Sequence, residues 1–144
     1  MIVSFAMFAD GANISQEGKL NILGVFDAVQ VGGLPAVHPR AHLIVRFKGT
    51  PQAAGTHQVS LRWVNPGGVE LWASDGQVEL APAPPGVTEI DIPLLASIDL
   101  PLDQPGAYAM RVFVNGQQRG EVPLHVRTAP PAFVAPPSSS GMFS

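Results

Sequence analysis

Apolar and polar residues alternate with a period of two along most of the chain, and this pattern is what most restricts its fold. Ala41 to Lys48 puts Leu43, Val45 and Phe47 on one face and His42, Arg46 and Lys48 on the other. His57 to Val64 sets Val59, Leu61 and Trp63 against Gln58, Ser60 and Arg62. Successive side chains on a strand point to opposite faces, so this pattern buries one face of a sheet and wets the other. The pattern recurs at Gln77–Ala81 (Val78, Leu80), Thr88–Leu95 (Ile90, Ile92, Leu94), Ala107–Val114 (Tyr108, Met110, Val112, Val114) and Glu121–Arg127 (Val122, Leu124, Val126). A further short strand is expected at Val69–Ala73. No segment sustains a 3.6-residue period. Fifteen Gly and fifteen Pro in 144 residues also oppose a helical fold.

Turn chemistry divides these segments. Asn115-Gly116 between Val114 and Gln117 is a strong hairpin signal, because both central residues tolerate positive φ. Asn65-Pro66-Gly67-Gly68, Asp75-Gly76 and Asp103-Gln104-Pro105-Gly106 read as further turns. Pro93 and Pro123 cannot donate to a ladder, so their strands are edges or are interrupted there. Ile2–Ala9 and Lys19–Val31 are apolar on both faces, which marks central strands or half of an interface. In the second of these, Gly24 is the expected site of a bulge that moves the inward set from Leu20 and Ile22 to Val25.

These segments predict one all-β domain over residues 1–127, a single immunoglobulin-like or jelly-roll-like antiparallel β-sandwich of seven to nine strands. The expected core is Phe5, Ile22, Leu43, Val45, Phe47, Val59, Leu61, Trp63, Ile90, Ile92, Tyr108, Met110 and Val112. Asp103, Gly106 and Tyr108 have the spacing of a tyrosine corner, whose hydroxyl bonds back to nearby backbone. Met110 then falls where immunoglobulin domains carry their second cysteine, and Trp63 serves as the core tryptophan. Residues 128–144 form a Pro-rich, then Ser-rich tail. Pro130, Pro131, Pro136 and Pro137 stiffen it, and Phe133, Val134, Met142 and Phe143 are its candidate partner-binding anchors.

The chemistry-bearing residues are sparse. There is no cysteine, hence no disulfide and no thiol nucleophile. His38 and His42 have a helical metal-ligand spacing, but Pro39 and the strand pattern break that geometry. His57 and His125 stand alone. Glu89 and Asp91 share a strand face, as solvated charges commonly do, and no nucleophile elbow or phosphate-cradling loop is present. A net charge of −3, with 13% charged residues against roughly 25% in ordinary domains, excludes a basic nucleic-acid surface. No catalytic residue, cofactor or metal is expected.

The N-terminal apolar run ends at Asp10 without a preceding basic residue, so neither a signal peptide nor a membrane span is expected, and the chain reads as cytoplasmic. Six of the eight basic residues are Arg, and Ala, Gly and Pro abound, which suggests a GC-rich bacterial genome.

Phe8-Ala9-Asp10-Gly11-Ala12-Asn13-Ile14, then Gly18-Lys19-Leu20-Asn21-Ile22-Leu23-Gly24-Val25-Phe26-Asp27, and Leu34-Pro35-Ala36-Val37-His38-Pro39 ahead of Leu43–Phe47, resemble a small bacterial family known only as a domain of unknown function. The resemblance covers most of residues 2 to 127. It implies a compact all-β domain and brings no activity or catalytic residue with it.

Two functions are therefore expected in competition. One is a non-catalytic structural or protein-interaction module that binds a protein partner or itself as a homo-oligomer, possible as part of a larger assembly. The other is a small-molecule or carbohydrate-binding sandwich with Trp63, Trp72 and Tyr108 as stacking residues.

Overall fold

A computed structural model describes residues 1–129. The tail positions Phe133, Val134, Met142 and Phe143 lie outside the described residues. Those residues form nine strands: β1 (Ile2–Ile14), β2 (Leu20–Phe26), β3 (Ala28–Val31), β4 (Ala36–Gly49), β5 (Gly55–Val64), β6 (Glu70–Leu80), β7 (Ile90–Leu102), β8 (Gly106–Val114) and β9 (Gln117–Thr128). A single 3₁₀ turn, Pro51–Ala53, precedes β5. No helix among the described residues is long and apolar enough to cross a membrane.

The strands make two sheets, one in the order β2-β1-β4-β7 and one in the order β3-β9-β8-β5-β6. All neighbours run antiparallel except β3 on β9, which is parallel. The apolar segment Lys19–Val31 explains that exception. It is not one strand but two, broken at Asp27, with β2 in the first sheet and β3 in the second. The Asp27 carbonyl accepts from the His125 amide at the crossing point. Serving two sheets is why both faces of the segment are apolar.

The inner faces meet in a core built as the alternation predicts. Leu43, Val45, Phe47, Val59, Leu61, Trp63, Tyr108, Met110 and Val112 are all buried. Phe8, Leu100, Leu102, Leu124 and Val126 complete it. Burying side chains of this kind is worth about 1.5–3 kcal/mol each, so this layer supplies the main drive to fold.

Several expectations need correction. Phe5 does not enter the core. The pairing of β1 with β4 passes from Val3↔Phe47 to Phe5↔Arg46, so Ser4 is an extra residue that throws Phe5 onto the outer face. Ala6 and Phe8 face inward in its place. Ile22 also leaves the core, for a reason given below. Ile90 and Ile92 are only half-buried, because β7 is an edge strand. Asp75-Gly76 is no turn. It sits mid-strand in β6, with the register unbroken from Trp63↔Trp72 to Gly55↔Leu80. Asp75 is held there across the ladder by Ser60 and by Arg62, at 2.7 and 2.9 Å. The proline rule holds. Pro93 is on the edge strand β7, and Pro123 lies ahead of the part of β9 that β3 covers.

Candidate functional site

The first cluster is structural. The Tyr108 hydroxyl accepts from the Asp103 and Gln104 amides, each at 2.9 Å. It faces the Gln104 carbonyl at 2.6 Å and Asp103 Oδ1 at 2.8 Å, either of which can take its proton. This is the expected tyrosine corner. The other Asp103 oxygen, Oδ2, accepts from Asn65 Nδ2 at 2.8 Å. Hydrogen bonds from Asn65 and Tyr108 hold the Asp103 carboxyl below the usual carboxylate range. Burial pushes the Tyr108 phenol up. Trp63 stacks on Tyr108 at 5.2 Å, meets Phe8 edge-on at 5.8 Å, and donates Nε1–H to the Pro101 carbonyl.

This cluster removes two of the three aromatics a carbohydrate site would use. Trp63 is 0% exposed and Tyr108 1%, so neither offers a face to a sugar. Trp72, directly opposite Trp63, is half-buried against the core.

The remaining candidates do not converge. His57 uses both ring nitrogens, with Ala53 O at 2.6 Å and Asn115 Nδ2 at 2.9 Å. His38 packs on the Phe26 ring, His42 is half-buried on the outer face of β4, and His125 is exposed on β9. No group of three metal-ligating side chains forms among the described residues. Glu89 and Asp91 share the outer face and are occupied by Lys48 and Arg46, at 3.1 and 2.6 Å.

The outer face of the first sheet is unusual in a different way. Ala9 and Ile44 point away from the core by register, yet both are 0% exposed. On the same face, the β1–β2 hairpin lies against the neighbouring Phe5 and Arg46. Ile22 pairs with Ala12, seven residues or ~23 Å of extended strand from Phe5. Nevertheless Ile22 and Leu20 line one cavity with Phe5, Arg46, Asp91 and Pro93, so the hairpin folds back over the sheet as an arm. The fold-back occurs at Gly24. Its φ is +72°, and the rung it would share with Asp10 is missing from an otherwise continuous register. A Cβ on Gly24 would also press on the Asp10 side chain, but it is the left-handed φ that calls for glycine here. The bulge expected at Gly24 is absent: the register runs on unshifted across it, and Val25 does not turn inward. Phe26, not Val25, takes the core side. The cavity under the arm is about 440 Å³, with Phe5, Leu20, Ile22 and Pro93 as apolar walls, Lys19 as a cation, and Arg46 paired with Asp91.

Turning the arm over leaves the other side of β2 in solvent. Leu23 is 74% exposed and Val25 61%. β2 is also an edge strand, paired with β1 alone among the described residues. Sheet edges are normally blunted by brevity, charge or proline. β3 has four residues, β6 carries Glu70, Asp75 and Glu79, and β7 carries Asp91, Pro93, Asp99 and Pro101. β2 reads Leu-Asn-Ile-Leu-Gly-Val-Phe and has none of these protections. The residues of this doubly apolar segment left in solvent are Leu23 and Val25.

Two antiparallel-dominated sheets, a tyrosine corner and a tryptophan stacked beneath it define an immunoglobulin-like β-sandwich. The chain belongs to the family of unknown function DUF6941, whose model matches residues 4–127. No curated protein matches it. Among solved structures it is similar to the alkylpurine DNA glycosylase AlkC of Pseudomonas fluorescens, bound to DNA containing an abasic-site analogue. That likeness has 17% identity and a TM-score of 0.42, over 70% of this chain and 28% of that one, so the chain spans little more than a quarter of the glycosylase. It is also similar to an immunoglobulin-like protein from Pseudomonas aeruginosa, with 12% identity and a TM-score of 0.37, over 88% of this chain and 94% of that one.

Proposed function

We propose that the domain is a non-catalytic protein-interaction module that engages its partner through the open edge of β2. The observation that supports this is the contrast among the four sheet edges. Three are short, charged or proline-bearing, whereas β2 offers seven uncharged residues with Leu23 and Val25 in solvent. An added strand would satisfy the free backbone groups of such an edge, and exposed apolar side chains would supply pockets for it. A photo-crosslinking residue at position 23, in cells making the full chain, should give covalent protein adducts. The same residue at Glu79 on the charged edge β6 should not. Equal yields at both positions, or none at position 23, would refute the reading.

A second reading rests on the cavity beneath the arm. Its size lies within the range of small-ligand sites, and its apolar walls suit the tail of an amphipathic carboxylate whose headgroup Lys19 would meet, Arg46 being bonded to Asp91 at 2.6 Å. Medium-chain fatty acids should then raise the melting temperature, and Lys19→Met should abolish that rise.

A further inference from the structure

We infer that the partner of the β2 edge is a second copy of this chain, paired strand to strand about a two-fold axis at Leu23. The inference rests on the interaction reading above and names its occupant.

A two-fold interface requires a surface that complements itself. In an antiparallel pair of identical strands centred on residue 23, partners have numbers that add to 46. Leu23 then meets Leu23, Asn21 meets Val25, and Lys19 meets Asp27. The last pair decides the register. Lys19 and Asp27 are the nearest charges on either side of β2, and both are exposed. Neither takes part in an ion pair among the described residues. Centred on Leu23, the dimer brings each ammonium opposite a carboxylate twice. Centred on Ile22 or Gly24, the same strands would set Lys19 against Val25 or Asp27 against Asn21, and the complementarity is lost.

The faces agree with this register. Lys19, Asn21, Leu23, Val25 and Asp27 all carry odd numbers and all are exposed. Leu20 and Ile22 are occupied under the arm, and Lys19, at the hairpin turn, borders the same cavity while staying exposed to solvent. The dimer thus covers the apolar side chains that the arm leaves in water, and cross-strand pairing of this kind is how sheets gain stability.

Sedimentation equilibrium of the full-length chain, from micromolar to several hundred micromolar, tests the inference. The wild type should dimerise. Lys19→Asp and Asp27→Lys should each weaken the dimer by roughly tenfold, since each places two like-charged pairs in the interface. The double variant Lys19→Asp/Asp27→Lys should return to within about threefold of wild type, which also shows that the single variants fold. An equimolar mixture of the two single variants should form a heterodimer, because every charge then faces its opposite. Leu23→Lys should give a monomer. A wild type that stays monomeric, or a dimer indifferent to both reversals and to Leu23→Lys, would overturn the inference. A monomer that still yields crosslinks to another protein from position 23 would overturn it too, while leaving the interaction reading in place.

Discussion

Replacing Tyr108 with Phe isolates the tyrosine corner from the core around it. The ring stays, so its stacking on Trp63 and the area it buries are retained. What is lost is one hydroxyl that accepts from two backbone amides and donates to Gln104 O or Asp103 Oδ1. A typical hydrogen bond contributes about 0.5–1.5 kcal/mol net, and a buried partner left unpaired costs about 1–3 kcal/mol. The Asp103 and Gln104 amides are only part-buried and recover some hydration. The expected loss is therefore about 2–3 kcal/mol, or roughly a 10 °C fall in melting temperature for a domain of this size. Urea titration followed by Trp fluorescence should show a lower midpoint with an unchanged slope. Asp103→Ala removes the same network from its other end. The double variant should thus cost clearly less than the sum of the two singles. A Tyr108→Phe protein within about 0.5 kcal/mol of wild type would mean that the corner is held by packing and not by these bonds.

Four further outcomes follow, two of them from the titration of this same corner. Gly106→Ala should destabilise by about 1–3 kcal/mol in thermal melts, since φ there is +130° and the new Cβ would sit 2.9 Å from the Pro66 ring. Ile44→Ala should cost about 2–4 kcal/mol in urea, as a core residue would, despite its outward register; a loss below about 1 kcal/mol would show that it is not packed as one. Tyr108 is the sole tyrosine in the chain, so absorbance at 295 nm reports it alone, and its midpoint should lie above the ordinary value of 10.0. That raised value means its stabilising contribution is complete below the unfolded-state pKa and is lost as pH rises through the folded one. Asp103 behaves in the opposite sense: its contribution is present above the unfolded carboxylate value and disappears as pH falls through the depressed folded one, so Asp103→Asn should flatten the acid limb of a stability–pH curve.

Alternation revealed the core where one face is wet. Leu43, Val45 and Phe47 in β4, and Val59, Leu61 and Trp63 in β5, are buried as their spacing requires. It failed where a strand is apolar on both sides, because period two then carries no information about which face is inside. Phe5 and Ile22 were assigned inward for that reason. Their true placement depends on one extra residue at Ser4 and one left-handed residue at Gly24. Local turn chemistry was similarly double-edged. Asn115-Gly116 does make the β8–β9 turn, with φ of +50° and +82°. Asp75-Gly76 offers the same chemistry but is overruled by the unbroken ladder of β5 from Gly55 to Trp63 and an Arg62 partner for Asp75. Tertiary pairing decides such conflicts, and it is invisible to a window of four residues.

The arm links the two readings of the site through one glycine. A strand of regular twist has to send alternate residues to opposite faces, so an apolar β2 lying flat in the sheet would put Leu20 and Ile22 on the core side and Leu23 and Val25 outside. Core space beside Phe8 is already filled by Phe26, stacked at 6.0 Å. The left-handed turn at Gly24 resolves the conflict by sending Leu20 and Ile22 onto the outer face of the sheet, where they close the cavity beside Phe5. Leu23 and Val25 are then excluded from both the core and the cavity. Their exposure is common to both arrangements; what the turn changes is the placement of Leu20 and Ile22.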